Sequence, residues 1–113
     1  MTPDVAGAKA FYSRLFGWDL EDMPMQDTTY TVNRAGGWEI GGMMATPPEA
    51  QGTPPIWGTY VTVDDVDDTA RTAADLGAAV VVAPRDIPGV GRFCVIRDPQ
   101  GAFITTITYQ AAR

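Results

Sequence analysis

The chain is read as an α+β domain made of two copies of one unit, each a helix followed by three short strands. Two observations carry this. Asp4-Val5 opens a segment ending in Leu15-Phe16-Gly17, and Asp65-Val66 opens another ending in Leu76-Gly77, with offsets of 61 and 60 residues. Arg34-Ala35-Gly36-Gly37 and Arg97-Asp98-Pro99-Gln100-Gly101 then fall at the same place in each copy. In both, apolar spacing changes from three-and-four to alternation, the signature of a helix giving way to strands. The 113 residues suffice for one domain with its own core.

In the first copy Val5, Ala8, Phe11, Tyr12, Leu15 and Phe16 form one helical stripe. Thr2-Pro3-Asp4 supplies a cap, a proline in the first turn and a carboxylate at the positive end. Gly17 suits the left-handed residue that ends a helix. The second helix is capped by Asp64 or Asp65, striped by Val66, Ala70, Ala73 and Leu76, and stopped by Gly77.

Strands are expected at Trp18–Met23, Thr28–Arg34 and Trp38–Met44, then at Ala79–Ala83, Gly91–Arg97 and Ala102–Tyr109. Thr46–Pro55, with four prolines, is a linker. The expected division is therefore one domain over 1–113: module one 1–45, linker 46–55, module two 56–113. A strand, Trp57–Val63, precedes the second helix, whereas only Met1 precedes the first helix's cap, so one strand of module one is missing from the pattern.

Composition excludes several classes of function. Eight basic groups against 14 acidic ones leave a net charge of −6, which repels a phosphate backbone, so no nucleic-acid partner is expected. No apolar run approaches 20 residues, so no membrane span is expected. Cys94 is the one cysteine, and a reducing cytoplasm is the expected setting. There is no histidine, which removes the commonest base, the commonest zinc ligand and every Ser-His or Cys-His pair.

The run Ala8-Lys9-Ala10-Phe11-Tyr12-x-x-Leu15-Phe16-Gly17-Trp18 resembles the first helix of the vicinal oxygen chelate superfamily. Val61-Thr62-Val63-Asp64-Asp65-Val66-Asp67 resembles its strand-to-helix passage, and Arg97-Asp98-Pro99-Gln100-Gly101 its last hairpin. That superfamily includes glyoxalase I, extradiol dioxygenases and the fosfomycin- and bleomycin-resistance proteins. The nearest resemblance is to glyoxalase-like two-module proteins of actinomycetes. It implies paired βαβββ modules forming a curved, incomplete-barrel mixed sheet, with helices on the convex side and a ligand cleft between modules.

The resemblance also implies metal-ligand positions on the first and fourth strands of each module. These fall on Gly41, Gly58 and Thr105, the fourth lying in the absent strand, and none carries an imidazole or a carboxylate. Metal and other cofactors are therefore not expected, and glyoxalase I or dioxygenase chemistry is not supported.

Strand parity extends the inward list to Glu39, Met43, Tyr60, Thr62, Phe103 and Ile107, leaving Trp38, Ile40, Met44, Val61, Val63 and Ile104 beneath the helices. Met43, Tyr60, Arg92, Phe103 and Thr105 are the expected ligand-binding residues. Arg92 joins them because Gly89-Val90-Gly91 offers a flexible approach for its guanidinium. The expected function is metal-independent binding of an apolar or aromatic small molecule, on the precedent of bleomycin-resistance proteins. The alternative is a metal-free isomerase, lyase or hydrolase using Glu39 or Tyr60 for proton transfer. Cys94 reads as a small buried apolar residue. Asp64-Asp65-Val66-Asp67-Asp68 reads as a capped acidic helix start, since it lacks the glycine and closing glutamate of a calcium loop. Met23, Met25, Met43 and Met44 read as core packing. The strand missing from module one would leave Trp38–Met44 with an open apolar edge, so a second copy is expected to cover it in a homodimer.

Overall fold

In a computed structural model the described residues are 1–110. The element order is α1 (Val5–Phe16), β1 (Asp19–Pro24), β2 (Thr29–Ala35), β3 (Trp38–Met44), β4 (Tyr60–Thr62), α2 (Val66–Asp75), β5 (Ala79–Ile87), β6 (Gly91–Arg97) and β7 (Phe103–Tyr109). A single 3-10 turn, Pro48–Ala50, lies between β3 and β4. The strands form two sheets, ordered β1-β2-β3 and β4-β7-β6-β5, and neither closes into a barrel. The chain divides into two units. The first is Met1–Pro47 with Gln51–Ile56, and the second is Pro48–Ala50 with Trp57 onward. No helix among the described residues is long and apolar enough to cross a membrane.

In the first unit Asp4 caps α1, its Oδ1 accepting from Gly7 N at 2.9 Å. The cap carboxylate folds over Gly7 so closely that a Cβ there would collide with it. Thr2, expected as the cap, instead lies beside β3. Its N–H donates to Met44 O, its carbonyl accepts from Thr46 N–H, and it forms a parallel bridge with Ala45. One bridge thus stands where a whole strand was missing from the pattern. Gly17 ends α1 with φ +69°, a left-handed conformation that costs glycine nothing.

The expected stripe of α1 is rotated. Val5, Ala8, Lys9, Tyr12 and Ser13 are half-buried, while Phe11, Leu15 and Phe16 are more than half exposed, and no α1 residue is fully buried. Lys9 Nζ pairs with Asp22 on β1 (3.0 Å), on the side of α1 that meets the sheet. The displaced rings gather on one another instead: Phe16 lies 5.0 Å and Tyr12 5.7 Å from Trp18, centroid to centroid.

The second unit packs as its pattern implies. Asp65 caps α2, accepting from the N–H groups of Asp67 and Asp68. Val66 and Ala70 bury against Cys94 and Ile96 of β6, with Val63, Ala73, Ala78 and Ile104 around them. β4 is shorter than the expected Trp57–Val63. It is the parallel edge strand, paired with β7 from Tyr60↔Thr105 to Thr62↔Ile107, and Trp57 and Gly58 lie before it.

Candidate functional site

Alternation divides the second sheet into two faces. Cys94, Ile96 and Ile104 face α2. The opposite face carries Phe93 and Val95 of β6, which stand across from Ile107 and Thr105 of β7. Parallel pairing adds Tyr60 beside Thr105 and Thr62 beside Ile107. Phe93, Val95 and Ile107 make a buried apolar floor, while Tyr60 and Phe103 are each 38% exposed at its margin. Thr105 sits between the two rings as a buried hydroxyl-bearing residue. Three expected site residues, Tyr60, Phe103 and Thr105, therefore share one face. The parity reasoning beneath the helix also matches at Val63 and Ile104, whereas Val61 remains 41% exposed on the edge strand.

Arg92 does not join them, which corrects the expectation of a ligand-directed guanidinium. It belongs to the α2 face, where Nε and Nη2 donate to the two carboxylate oxygens of Asp67 at 3.0 and 3.1 Å, and Nη1 to Asp86 at 3.2 Å. The flexible loop delivers the arginine to a helix carboxylate, and three of its donors are spent there. The hydrogen bonds from Arg92 hold Asp67 below the usual carboxylate range. A depressed folded-state pKa adds stability that is present above about pH 4 and lost as pH falls through the folded value. Asp67→Asn is therefore expected to flatten the fall in melting temperature between pH 5 and pH 3, relative to wild type. Cys94 is fully buried in the α2 core, and burial pushes its thiol up.

In the first unit a bulge breaks the expected parity. β2 and β3 pair from Tyr30↔Met44 to Asn33↔Gly41, but Arg34 stands opposite Glu39, so Ile40 is the extra residue. Glu39 and Met43, expected on one face, are thereby separated. Met43 shares its face with Thr31, whose hydroxyl donates to Asp22, the partner of Lys9 on α1. Met44 takes the other face with Tyr30, Val32 and Arg34. Met43 is thus buried on the α1 side, which corrects its place among ligand-facing residues. Glu39 is ion-paired to Arg34 Nη2 at 3.0 Å, and Arg34 also binds Glu21. Both carboxylates hold the guanidinium in its charged form. The expected proton-transfer role of Glu39 would require it to break that pair.

The same register tests the metal positions. Val32, two residues before Arg34, faces Gly42, and Val95, two residues before Arg97, faces Thr105. Gly42, and not Gly41, is the counterpart of Thr105, because the bulge shifts the numbering by one. The Tyr30 phenol lies across Gly42 so closely that a Cβ there would fall inside the ring's Oη and Cζ. With Tyr30 placed so, its phenol fills the space that a side chain at that position would need. Gly58 lies outside the sheet ladder, and Thr105 offers a single neutral hydroxyl. These residues do not fit a divalent metal. Among the described residues no three His, Cys, Asp or Glu side chains gather as a metal group. Tyr30 was missing from the sequence reading. Its only signal was the tandem glycine opposite it, which in a strand marks a close approach.

With this geometry in place, the likenesses to known proteins become interpretable. Residues 1–105 match the model of the Glyoxalase/Bleomycin resistance protein/Dioxygenase superfamily. CFP32 of Mycobacterium tuberculosis, provisionally named a glyoxylase, is 42% identical over 106 residues, covering 93% of this chain and 39% of that protein. The anthracycline biosynthesis protein DnrV of Streptomyces peucetius is 31% identical, covering 89% of this chain and 42% of that protein. The chain thus spans about two-fifths of the length of these relatives. A crystal structure of a Staphylococcus aureus protein superposes with a TM-score of 0.54 at 18% identity, over 97% of this chain and 91% of that one, a likeness of fold. The chain belongs to the glyoxalase/bleomycin resistance protein/dioxygenase superfamily.

Proposed function

We propose that the chain is a metal-independent small-molecule-binding module that holds an apolar or aromatic ligand. The observation that carries this is the second unit's face opposite α2. Its apolar floor of Phe93, Val95 and Ile107 is flanked by the partly exposed rings of Tyr60 and Phe103, with Thr105 as a polar contact. A flat ring system suits two marginal aromatic side chains. The relative DnrV is named for anthracycline biosynthesis, and anthracyclines are fused aromatic rings. Absence of histidine and the crowding of Gly42 by Tyr30 support a ligand held without a metal. A cytoplasmic setting belongs to the same proposal, supported by one cysteine buried in the α2 core.

Titration of tryptophan fluorescence with an anthracycline aglycone tests the reading. Saturable quenching is expected, weakened roughly fivefold by Tyr60→Ala or Phe103→Ala, because losing a stacked ring removes about 1 kcal/mol. Quenching that neither substitution changes would place the ligand elsewhere.

Pairing with a second copy is part of the proposal. Thr2 reaches only the end of β3, while Trp38 is 78% and Ile40 49% exposed along that strand. An edge of this kind favours addition of another strand. Light scattering at micromolar concentration is expected to give about twice the 12.1 kDa chain mass. A mass of one chain would end the dimer reading.

A further inference from the structure

Arg97 stands at one end of the aromatic face of the second sheet. Ile96 and Ile104 pair across β6 and β7 and both face α2, so their neighbours Arg97 and Phe103, also paired, lie on the opposite face. The next row on that face is Val95 and Thr105, with Tyr60 beside Thr105. No register shift interrupts this part of the β6–β7 ladder. Side chains on one face of a strand repeat about every 7 Å, so a long side chain at Arg97 reaches the edge of a ring laid between Phe103 and Tyr60.

Its lack of partners sets Arg97 apart. In a chain with 14 acidic groups, Lys9, Arg34, Arg71 and Arg92 all hold carboxylates. Among the described residues, Arg14 and Arg97 have neither an ion pair nor a side-chain hydrogen bond, and of these two only Arg97 lies on a strand. Its chain neighbour Asp98 is turned into the hairpin, where Oδ1 accepts from Gln100 N and Ala102 N, each at 2.9 Å. On the β5 side Arg97 is paired with Ala79, which is too small to cover it. Arg97 also lines a cleft of about 260 Å³ with Gly77, Ala79 and the turn from Asp98 to Gly101, so open space adjoins this end of the sheet. An exposed guanidinium with all its donors unspent is thus held one row from the two rings.

We infer that Arg97 anchors an acidic substituent of the ligand, which makes the ligand class an aromatic monocarboxylate. The inference rests on the reading of this face as a ring site and adds the ligand's charge to it. The planar fork of a guanidinium matches a carboxylate through two parallel hydrogen bonds, and a carboxylate lies near the plane of the ring that bears it. One negative charge is favoured over a doubly charged phosphate, because the chain's net charge of −6 opposes anions in general.

The probes are 2-naphthoate and 2-naphthamide, which share ring and shape and differ in charge. Calorimetric titration at about 0.15 M salt, where distant surface charges are screened, is expected to show the acid binding about tenfold more tightly than the amide. Arg97→Gln, an exposed substitution that spares the fold, is expected to bring the acid down to the affinity of the amide and leave the amide unchanged. Arg14→Gln removes the same charge from α1 and is expected to leave the preference intact. In 15N-labelled protein the Arg97 Nε signal, assigned by its loss in Arg97→Gln, is expected to shift saturably with the acid. Equal affinities for the two probes would overturn the inference and leave the ring site standing. A preference that survives Arg97→Gln, or one that Arg14→Gln also abolishes, would overturn it as well, the first placing the anion elsewhere and the second reducing the effect to net charge. Binding of neither probe would remove the ring site and the inference together.

Discussion

Phe93→Ala is expected to cost about 3–5 kcal/mol of stability, the range for emptying a large buried aromatic site. Phe93 is 1% exposed in the centre of β6, with Arg85 beside it on β5 and Ile107 on β7. Both neighbouring strands fix it, so collapse into the void is limited and a cavity persists. Against a total of about 5–15 kcal/mol for a domain, that loss is a large fraction. Phe103→Ala is the internal comparison, because a ring already 38% exposed loses much less on truncation. Urea unfolding should show a lower midpoint for Phe93→Ala with an unchanged slope. Equal midpoints for the two variants would mean that Phe93 is not the floor of the ligand face.

Gly42→Ala is the second large effect, expected to cost about 2–3 kcal/mol through overpacking. The added methyl falls on the Tyr30 phenol, which is itself buried and has little freedom to move aside. The cause can be isolated. In the double variant Gly42→Ala with Tyr30→Leu, the costs should fail to add by more than about 1 kcal/mol, because the shorter side chain relieves the clash. Strict additivity would show that Gly42 is needed for its backbone and not for the space above it.

Much of the fold is legible in the residues, and the gaps have particular causes. β3 and β6 run over the ranges their sequences imply, with glycine marking the start of each, Gly37 before β3 and Gly91 opening β6. The αL residue Gly17 and the cap Asp65 follow from local chemistry alone. The stripe of α1 does not, since Phe11, Leu15 and Phe16 have helical spacing but stay exposed, while the side bearing Lys9, paired with Asp22, meets the sheet. β4 shrinks to Tyr60–Thr62 because an edge strand lasts only as long as β7 pairs with it. The site divides in the same way. Tyr60, Phe103 and Thr105 follow from alternation over unbroken strands. Met43 and Glu39 go astray because alternation fails across a bulge, and Ile40 carries no signature that distinguishes it from a paired residue. Arg92 is claimed by Asp67, which is 25 positions earlier in the chain and on another element.

The most direct measurement is the aglycone titration repeated on protein treated with EDTA and then dialysed, with and without added zinc, nickel or manganese. The metal-independent binding proposed above gives one dissociation constant under all these conditions, together with an unchanged melting temperature in chelator. Binding that disappears on chelation and returns with one of the metals would contradict the account.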